Sequence, residues 1–334
     1  MSNFKCVKDF NRAFDMVSKE PKDYIGYDED IYSFIKINPL KFCRVNVFES
    51  HSLIRLRLNL IKEEIEELND AIKVNDMKET RDAIGDILYV VYGMADILGM
   101  DIDYIFTSSL QDEVTKYYLD KNQKEEGETE KDKKEDKKYI NSIFIDKIIQ
   151  ASENGNKKIT NFYYVKTFID ELMGNENSIS HNPNSIHKPN IKYVLNKINA
   201  FYLKLEKECE NNIMTNTIYS TDKIDKDSTL KNKFLSVSQI IYNLLKMTYT
   251  LAHIYNINAD SDFAIIHESN MSKLCDTEQD AKDTVSDYQI KYKAGKSPYD
   301  SPYYYELPEL KKWIVKNKSS GKALKNIKYK EVAF

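Results

Sequence analysis

The sequence predicts a mainly α-helical protein that closes with a small β-hairpin. Three observations predict it. Apolar residues recur at helical spacing along most of the chain. Glycine and proline are scarce, at 9 and 7 in 334 residues. Only residues 281–334 change character, to a turn-rich aromatic segment, SPYDSPYYY, and then an alternating one, KKWIVKNKSSGKALKNIKY, that turns at Ser320-Gly321.

Taken in order, residues 7–16, VKDFNRAFDM, read as a short amphipathic helix with Phe10 on its apolar side. Residues 20–50, with Pro21 and Pro39, read as a loop. The organising stretch is Leu56 to Met100. Its first helix carries Leu58, Ile61, Ile65 and Leu68 as one buried stripe, flanked by Glu63, Glu64 and Glu67. Glu63 and Glu67 are four apart and share a face, an arrangement that disfavours a bare helix by a few tenths of a kcal/mol. Alone, such a segment is a solvated acidic face.

The second helix starts at Asp76, an N-cap with Glu79 three residues on, as in a capping box. Asp82 and Asp86 are not so readily explained. Asp86 opens the run ILYVVYGMADIL, apolar almost all round and therefore buried. A buried carboxylate is costly unless it is paired or on a metal. Gly99 fits a helix C-cap and Asp101 a new N-cap, after which Ile105 to Tyr118 forms another helical stretch.

Residues 121–138, KNQKEEGETEKDKKEDKK, are almost devoid of apolar side chains and read as a charged linker. The second half then echoes the first. VKTFIDELM (165–173) resembles VKDFNRAFD (7–15), and residues 243–263 run without a gap beside 86–106. We therefore expect two tandem helical repeats, at 1–120 and 139–280, and a C-terminal tail at 281–334. The acids are lost in the second repeat: Asn243 stands where Asp86 stood and Gln239 where Asp82 stood. Neutral amides do not replace two carboxylates in holding Mg²⁺.

Net charge is −4, which gives no electrostatic case for nucleic acid, and no apolar run is long enough to span a bilayer. Cys6, Cys43, Cys209 and Cys275 lie far apart with no CxxC, and MSNFKC is no signal peptide. A reducing, cytoplasmic setting fits. Abundant Lys, Asn, Ile and Tyr suggest AT-rich coding, as in a virus or parasite, in which case the compartment is the host cytoplasm. His181 and His187, six apart in a Pro/Asn-rich loop, make a poor metal pair. SSGK lacks the upstream glycine of a P-loop. Trp313, Ile314 and Ile327 are expected to pin the hairpin to the helices, and its lysines to be solvated, with contact to phosphates as the alternative.

The acid helices resemble the all-α nucleoside triphosphate pyrophosphohydrolases, the MazG-like and phosphoribosyl-ATP pyrophosphohydrolase superfamily. Its EExxE motif is matched by Glu63-Glu64-Ile65-Glu66-Glu67. Its ExxD motif is matched either by Glu79-Thr80-Arg81-Asp82 or in the register ending at Asp86, where Ala83 occupies the glutamate position. The fourth ligand is thus open between Asp82 and Glu79. IRLRLNLIKEE, with Arg55 and Arg57, resembles the family's entry into the first helix. HESNMSK, with His267, Asn270 and Lys273, resembles the HRxNxSK element that follows the acid helices in family members. The first repeat has Glu113-Val114-Thr115-Lys116 at the matching place.

The resemblance implies an all-α NTP pyrophosphatase fold that releases pyrophosphate from a nucleoside triphosphate at the α–β bond. It implies Mg²⁺, with Mn²⁺ as the alternative, held by Glu63, Glu64, Glu67, Asp82 and Asp86. Glu63 is the expected base toward water. Lys116 and Lys273 are expected to neutralise the leaving pyrophosphate, and Phe10, Asn11, Asn270 and Lys273 to contact substrate. Sites in related enzymes form where two subunits meet, so one composite site per chain is expected, with acids from repeat one and Asn270 and Lys273 from repeat two. A homodimer is compatible with this. Phosphoribosyl-ATP as substrate, and a non-catalytic nucleotide-binding or scaffold protein, are the alternatives.

Overall fold

The computed structural model describes residues 2–14, 51–98, 100, 102–103, 105–107, 109–110, 112–114, 161–174, 190–210, 228–308 and 310–334. The chain is mainly helical with one two-stranded antiparallel sheet. The helices are α1 (Asn3–Ala13), α2 (His51–Val74), α3 (Met77–Ile97), α4 (Asn161–Gly174), α5 (Ile191–Glu208), α6 (Ser228–Ile254), α7 (Ala259–Met271) and α8 (Glu278–Lys293). The strands are β1 (Pro302–Leu307) and β2 (Lys312–Asn317). The expected loop at 20–50, the charged linker, His181 and His187 lie outside the described residues, as do Gly99, Asp101 and Lys116.

α2 stops where Asn75 takes the left-handed conformation, φ 58°, which asparagine tolerates. Asp76 follows at once as the N-cap of α3, accepting from the backbone N–H of Lys78 and Glu79 at 3.0 and 3.1 Å. So short a connection folds α3 back along α2 as a helical hairpin. Leu58, Ile61, Ile65 and Leu68 are all buried along the seam, as their spacing predicts. Burial of each such side chain is worth roughly 1.5–3 kcal/mol.

α3 is the central helix, with α1, α2, α6 and α7 all packed on it. That is why every residue from Ile87 to Ile97 is buried. α6 pairs with α5 and also packs on α4. It ends like α2, at a left-handed asparagine, Asn256 with φ 56°, and Asn258 then caps α7.

The two halves make matching contacts around a hydroxyl pair, Tyr92–Tyr249 at 2.7 Å. Phe4 lies 6.0 Å from the Tyr92 ring, and Phe162 lies 5.9 Å from the Tyr249 ring. Phe263 meets Tyr92 edge-on at 86°, and Phe106 meets Tyr249 at 84°. The Asn3 amide donates to Asp260 and Tyr249, and the Asn161 amide to Asp103 and Tyr92. The helix following α6, α7, therefore lies on α3 of the other half. Reciprocally, the described residues between 102 and 114 meet α6 through Phe106 and through Glu113, which accepts from Tyr242 Oη at 3.0 Å.

Two polar ties fix this arrangement. Arg57, 2% exposed, donates to Asn11 Oδ1 at 2.5 Å, and Asn11 Nδ2 donates to Asp96 at 2.7 Å. Arg81 grips Asp262, itself 1% exposed, through two bonds of 2.8 and 2.6 Å, joining α3 to α7. The Phe334 ring lies against the Arg81 guanidinium, 4.5 Å from its centroid.

The C-terminal region departs from expectation in two ways. Residues 281–293 belong to α8, capped by Thr277. The hairpin forms one strand earlier than the alternating pattern indicates. β1, PYYYEL, pairs with β2 from Pro302↔Asn317 to Leu307↔Lys312. Its aromatic side chains make it the better partner. Beyond Gly321 only Ala323 bridges back, to Lys316. Ile314 enters the main core and Trp313 packs in a satellite cluster with Cys275, but the Ile327 side chain is 48% exposed, and this residue is tied to α8 through its backbone N–H, which donates to Thr284 Oγ1 at 3.2 Å.

A test of the buried tie is Gly93→Ala. A Cβ at Gly93 would sit 2.6 Å from Arg57 Nη1. Displacing a guanidinium that holds Asn11 is expected to cost about 2–3 kcal/mol, read as a lower midpoint in urea unfolding.

Candidate active site

α2 turns its stripe inward and so brings Glu63, Glu64 and Glu67 to the edge of the seam with α3. Glu64 is half-buried, and Glu63 and Glu67 are exposed. From α3, Asp82 and Asp86, one turn apart, reach the same edge, both half-buried. The carboxylates act on one another across the two helices. The Glu64 carboxyl is held far above its ordinary range by burial first, then by Asp86, Glu67, Glu63 and Asp82. Asp86 is raised by burial and then by Asp82, with Lys273 pulling it down. Asp82 is raised by burial and Glu79, opposed by Lys78 and Lys325. Glu67 is raised by burial, then Glu63, Asp82 and Glu79, opposed by Lys322.

Lys273 comes from the turn after α7. Its Nζ donates to Asn270 Oδ1 at 2.5 Å and lies 5.9 Å from the centre of the Phe10 ring. Burial lowers its pKa, Asp86 and Glu64 raise it, and Lys325 and Lys322 lower it further. The acids of the first half and the Asn270–Lys273 pair of the second thus face one another. Phe10 is buried beside this pair, edge-on to Tyr89 at 5.3 Å, and Tyr89 Oη meets His267 Nδ1 at 3.1 Å. Asn11 is a correction. It is wholly buried, with both ends of its amide engaged by Arg57 and Asp96, so it serves the core and offers nothing to a substrate.

The donor set suits a hard divalent cation: five carboxylates and no sulfur or imidazole. Asp82 Oδ1 is buried without a hydrogen-bond partner, an orphaned acceptor of the kind a cation satisfies. As the side chains stand, no three His, Cys, Asp or Glu among the described residues are grouped closely enough to hold a metal ion. Binding one requires the carboxylates to turn toward each other on their helices. Between the two candidates for the fourth ligand, Asp82 is half-buried and acts directly on Asp86, whereas Glu79 is exposed and also serves the capped first turn of α3.

The corresponding edge of the second half is built differently. Asn243 donates to the Gln239 carbonyl at 2.7 Å along its own helix. Glu113 is clamped by Lys246 Nζ at 2.6 and 2.7 Å. A cavity of about 300 Å³ lined by Ser2, Asn3, Tyr92, Asp103, Thr107, Asn161 and Tyr164 shares no residue with the acid cluster. Sequence reasoning weighed the hairpin lysines only as a group and did not single out Lys322 and Lys325, whose charges reach the acids from the tail. Nothing in a lysine-rich segment marks them. No helix among the described residues is long and apolar enough to cross a membrane.

Comparison with known proteins bears on the acid helices. Over 98% of its length the chain is 26% identical to an uncharacterised protein of Acanthamoeba polyphaga mimivirus, covering 92% of that protein. No solved structure matches. Residues 46–112 match the family model described as phosphoribosyl-ATP pyrophosphohydrolase. That stretch holds α2, α3 and the helical residues after them; it is similar to that family, part of the MazG-like all-α NTP pyrophosphohydrolase superfamily, and the match supports a pyrophosphohydrolase of the nucleotide type.

Proposed function

We propose that the protein is a divalent-cation-dependent nucleoside triphosphate pyrophosphohydrolase, cleaving between the α and β phosphorus to give a nucleoside monophosphate and pyrophosphate. The observation that carries this reading is the set of half-buried carboxylates at one helix seam, Glu64, Asp82 and Asp86: Asp86 and Asp82 raise the pKa of Glu64, Asp82 raises that of Asp86, and Lys273 faces Glu64 and Asp86 without pairing with either. The metal would be Mg²⁺ or Mn²⁺, and Glu63, Glu64, Glu67, Asp82 and Asp86 are the residues that would hold it. When bound, it supplies Lewis-acid polarisation of the phosphoryl group and a more acidic water.

The chain's own residues do the rest. Glu63, exposed at the mouth of the cluster, accepts the proton of the attacking water. Lys273, steadied by Asn270, meets the charge that grows on the departing pyrophosphate. Phe10 gives Lys273 an apolar floor, so its charge is less screened than that of a surface lysine. Lys116, outside the described residues, is assigned the same charge-neutralising role. The matching contacts of the two halves support a tandem duplication in which each chain assembles one composite site. The Lys246–Glu113 pair fills the second. A second substrate, phosphoribosyl-ATP, is favoured by the family that residues 46–112 match.

A panel of NTPs, dNTPs and phosphoribosyl-ATP with Mg²⁺, read as pyrophosphate release, is expected to show turnover on at least one. Glu64→Gln and Asp86→Asn are each expected to lower it by at least roughly 100-fold. Undiminished release in both variants removes the reading.

The pKa directions also fix a sign. The folded state holds Glu64 and Asp86 protonated at a pH where the unfolded chain does not. It binds more protons, so ion-free stability falls as pH rises above the ordinary carboxylate range. The melting temperature without cation is expected to drop between about pH 6 and about pH 9, and Glu64→Gln to flatten that slope. Mg²⁺, which competes with those protons, is expected to stabilise more at the upper end. Thermal melts at several pH values, with EDTA or Mg²⁺, check both.

A further inference from the structure

The C-terminal tail after β2 is fastened to the turn that carries Lys273. The Asn326 amide, 7% exposed, donates to the carbonyls of Ser272 and Leu274, the residues on either side of Lys273. Tyr329 Oη meets Ser269 Oγ of α7 at 2.7 Å. Ser269 Oγ also donates to the Lys330 carbonyl at 2.9 Å, and the Lys330 N–H donates to Ser272 Oγ at 3.0 Å. Upstream, the Lys322 carbonyl accepts from the Asn317 N–H at 2.9 Å and the Leu324 N–H donates to the Val315 carbonyl at 2.8 Å. The segment from 322 to 330 is thus held at both ends, against β2 and against α7.

This path brings two lysines to the acid cluster. Lys322 acts on Glu67, Lys325 on Asp82 and Asp86, and both on Lys273. Both are exposed, and neither forms an ion pair among the described residues. Lys325 Nζ lies over the ring of the anchored Tyr329, 4.3 Å from its centroid, which restrains it without neutralising it. Three ammonium groups near one another repel, and none of the three is ion-paired with the acids nearby. A multiply charged anion suits this group: it would accept from the lysines, while a cation on the carboxylates would supply further positive charge.

We propose that Lys322 and Lys325 bind the outer phosphates of the substrate, so that the tail forms the wall of the site that recognises a triphosphate chain. This rests on the pyrophosphohydrolase reading. It makes the tail a specificity element: a nucleoside monophosphate, which has no outer phosphates, gains nothing from it. Neither lysine touches the bond that breaks, so their loss acts on binding more than on turnover.

The test uses the full-length chain with Mg²⁺. Calorimetry with inorganic tripolyphosphate and with a nucleoside monophosphate is run on the wild type, the Lys322→Ala/Lys325→Ala variant and the Lys322→Arg/Lys325→Arg variant, alongside KM and kcat for the best triphosphate. Loss of both lysines is expected to weaken tripolyphosphate binding and raise KM by about tenfold or more, with kcat changed much less. Monophosphate affinity and melting temperature stay unchanged, and the arginine variant recovers most of the loss. Tripolyphosphate affinity within about twofold of wild type in the alanine variant overturns the proposal. So does an equal loss for the monophosphate. A wild type that binds tripolyphosphate through these lysines but releases no pyrophosphate from any nucleotide sustains the proposal and removes the hydrolase reading. A wild type that binds neither removes both.

Discussion

Everything at this site follows from placing like charges at the edge of a buried helix. α3 is enclosed by α1, α2, α6 and α7, yet it presents Asp82 and Asp86 where α2 presents Glu64. Ordinary helix devices do not offset this. The positive end of a helix favours an anion by about 0.3–1 kcal/mol, but only within the first turn, and that turn is already served by Asp76 and Glu79. Asp82 and Asp86 lie beyond it. Two remedies remain, a proton or a cation. The raised pKa of Glu64 and Asp86 is the first remedy at work in the protein alone. A hard cation is the stronger one, because it relieves several carboxylates at once, including the unpartnered Asp82 oxygen.

Bringing Lys273 to those acids is the task of the buried polar ties. Lys273 is at the end of α7, so its position depends on how α7 lies on α3. The Arg81–Asp262 fork sets that contact near the start of α7, and Gly85 permits it, since a Cβ there would meet Ile266 Cδ1 at 2.1 Å. At the other end of α3, the Arg57–Asn11–Asp96 chain fixes α1, whose Phe10 lies under Lys273. Removing one partner from a buried pair of this kind typically costs about 3–5 kcal/mol, far more than a surface ion pair contributes. These ties therefore hold the geometry of the site although they touch none of its chemistry.

The helices and their caps were legible in the sequence because they depend on local spacing: the Leu58–Ile61–Ile65–Leu68 stripe, the Asp76 cap, the all-round apolar run after Asp86. The acids were legible for the same reason, with Asp86 marked by the burial that its neighbours imply. What depends on distant pairing was not legible. Asn11 looked like a pocket residue because its sequence neighbour Phe10 is beside the site, yet its partners, Arg57 and Asp96, are 46 and 85 residues away. Lys325 reads as solvated until Asn326 is seen to hook carbonyls 54 and 52 residues upstream. The hairpin has a similar cause: the segment after Gly321 does return to β2, through Lys322, Ala323 and Leu324, but the main partner is PYYYEL, which takes the opposite edge of β2 along its whole length.

The two edges of the bundle arrange their charges differently. At the edge of the second half the opposite charges are in contact: Lys246 clamps both oxygens of Glu113, and Tyr242 adds a third bond. Both oxygens of Glu113 are thereby engaged, so this carboxylate is not left open to an ion. At the first edge, Asn270 stands in the place of that glutamate, and Lys273 is bonded to a neutral amide, leaving its charge unspent. Folding stability alone favours the self-neutralised arrangement, and the same scaffold achieves it. Keeping carboxylates and lysines near one another but unpaired costs stability, and that cost is offset only by a ligand that carries charges of both signs. A divalent cation bound to a phosphate chain is such a ligand.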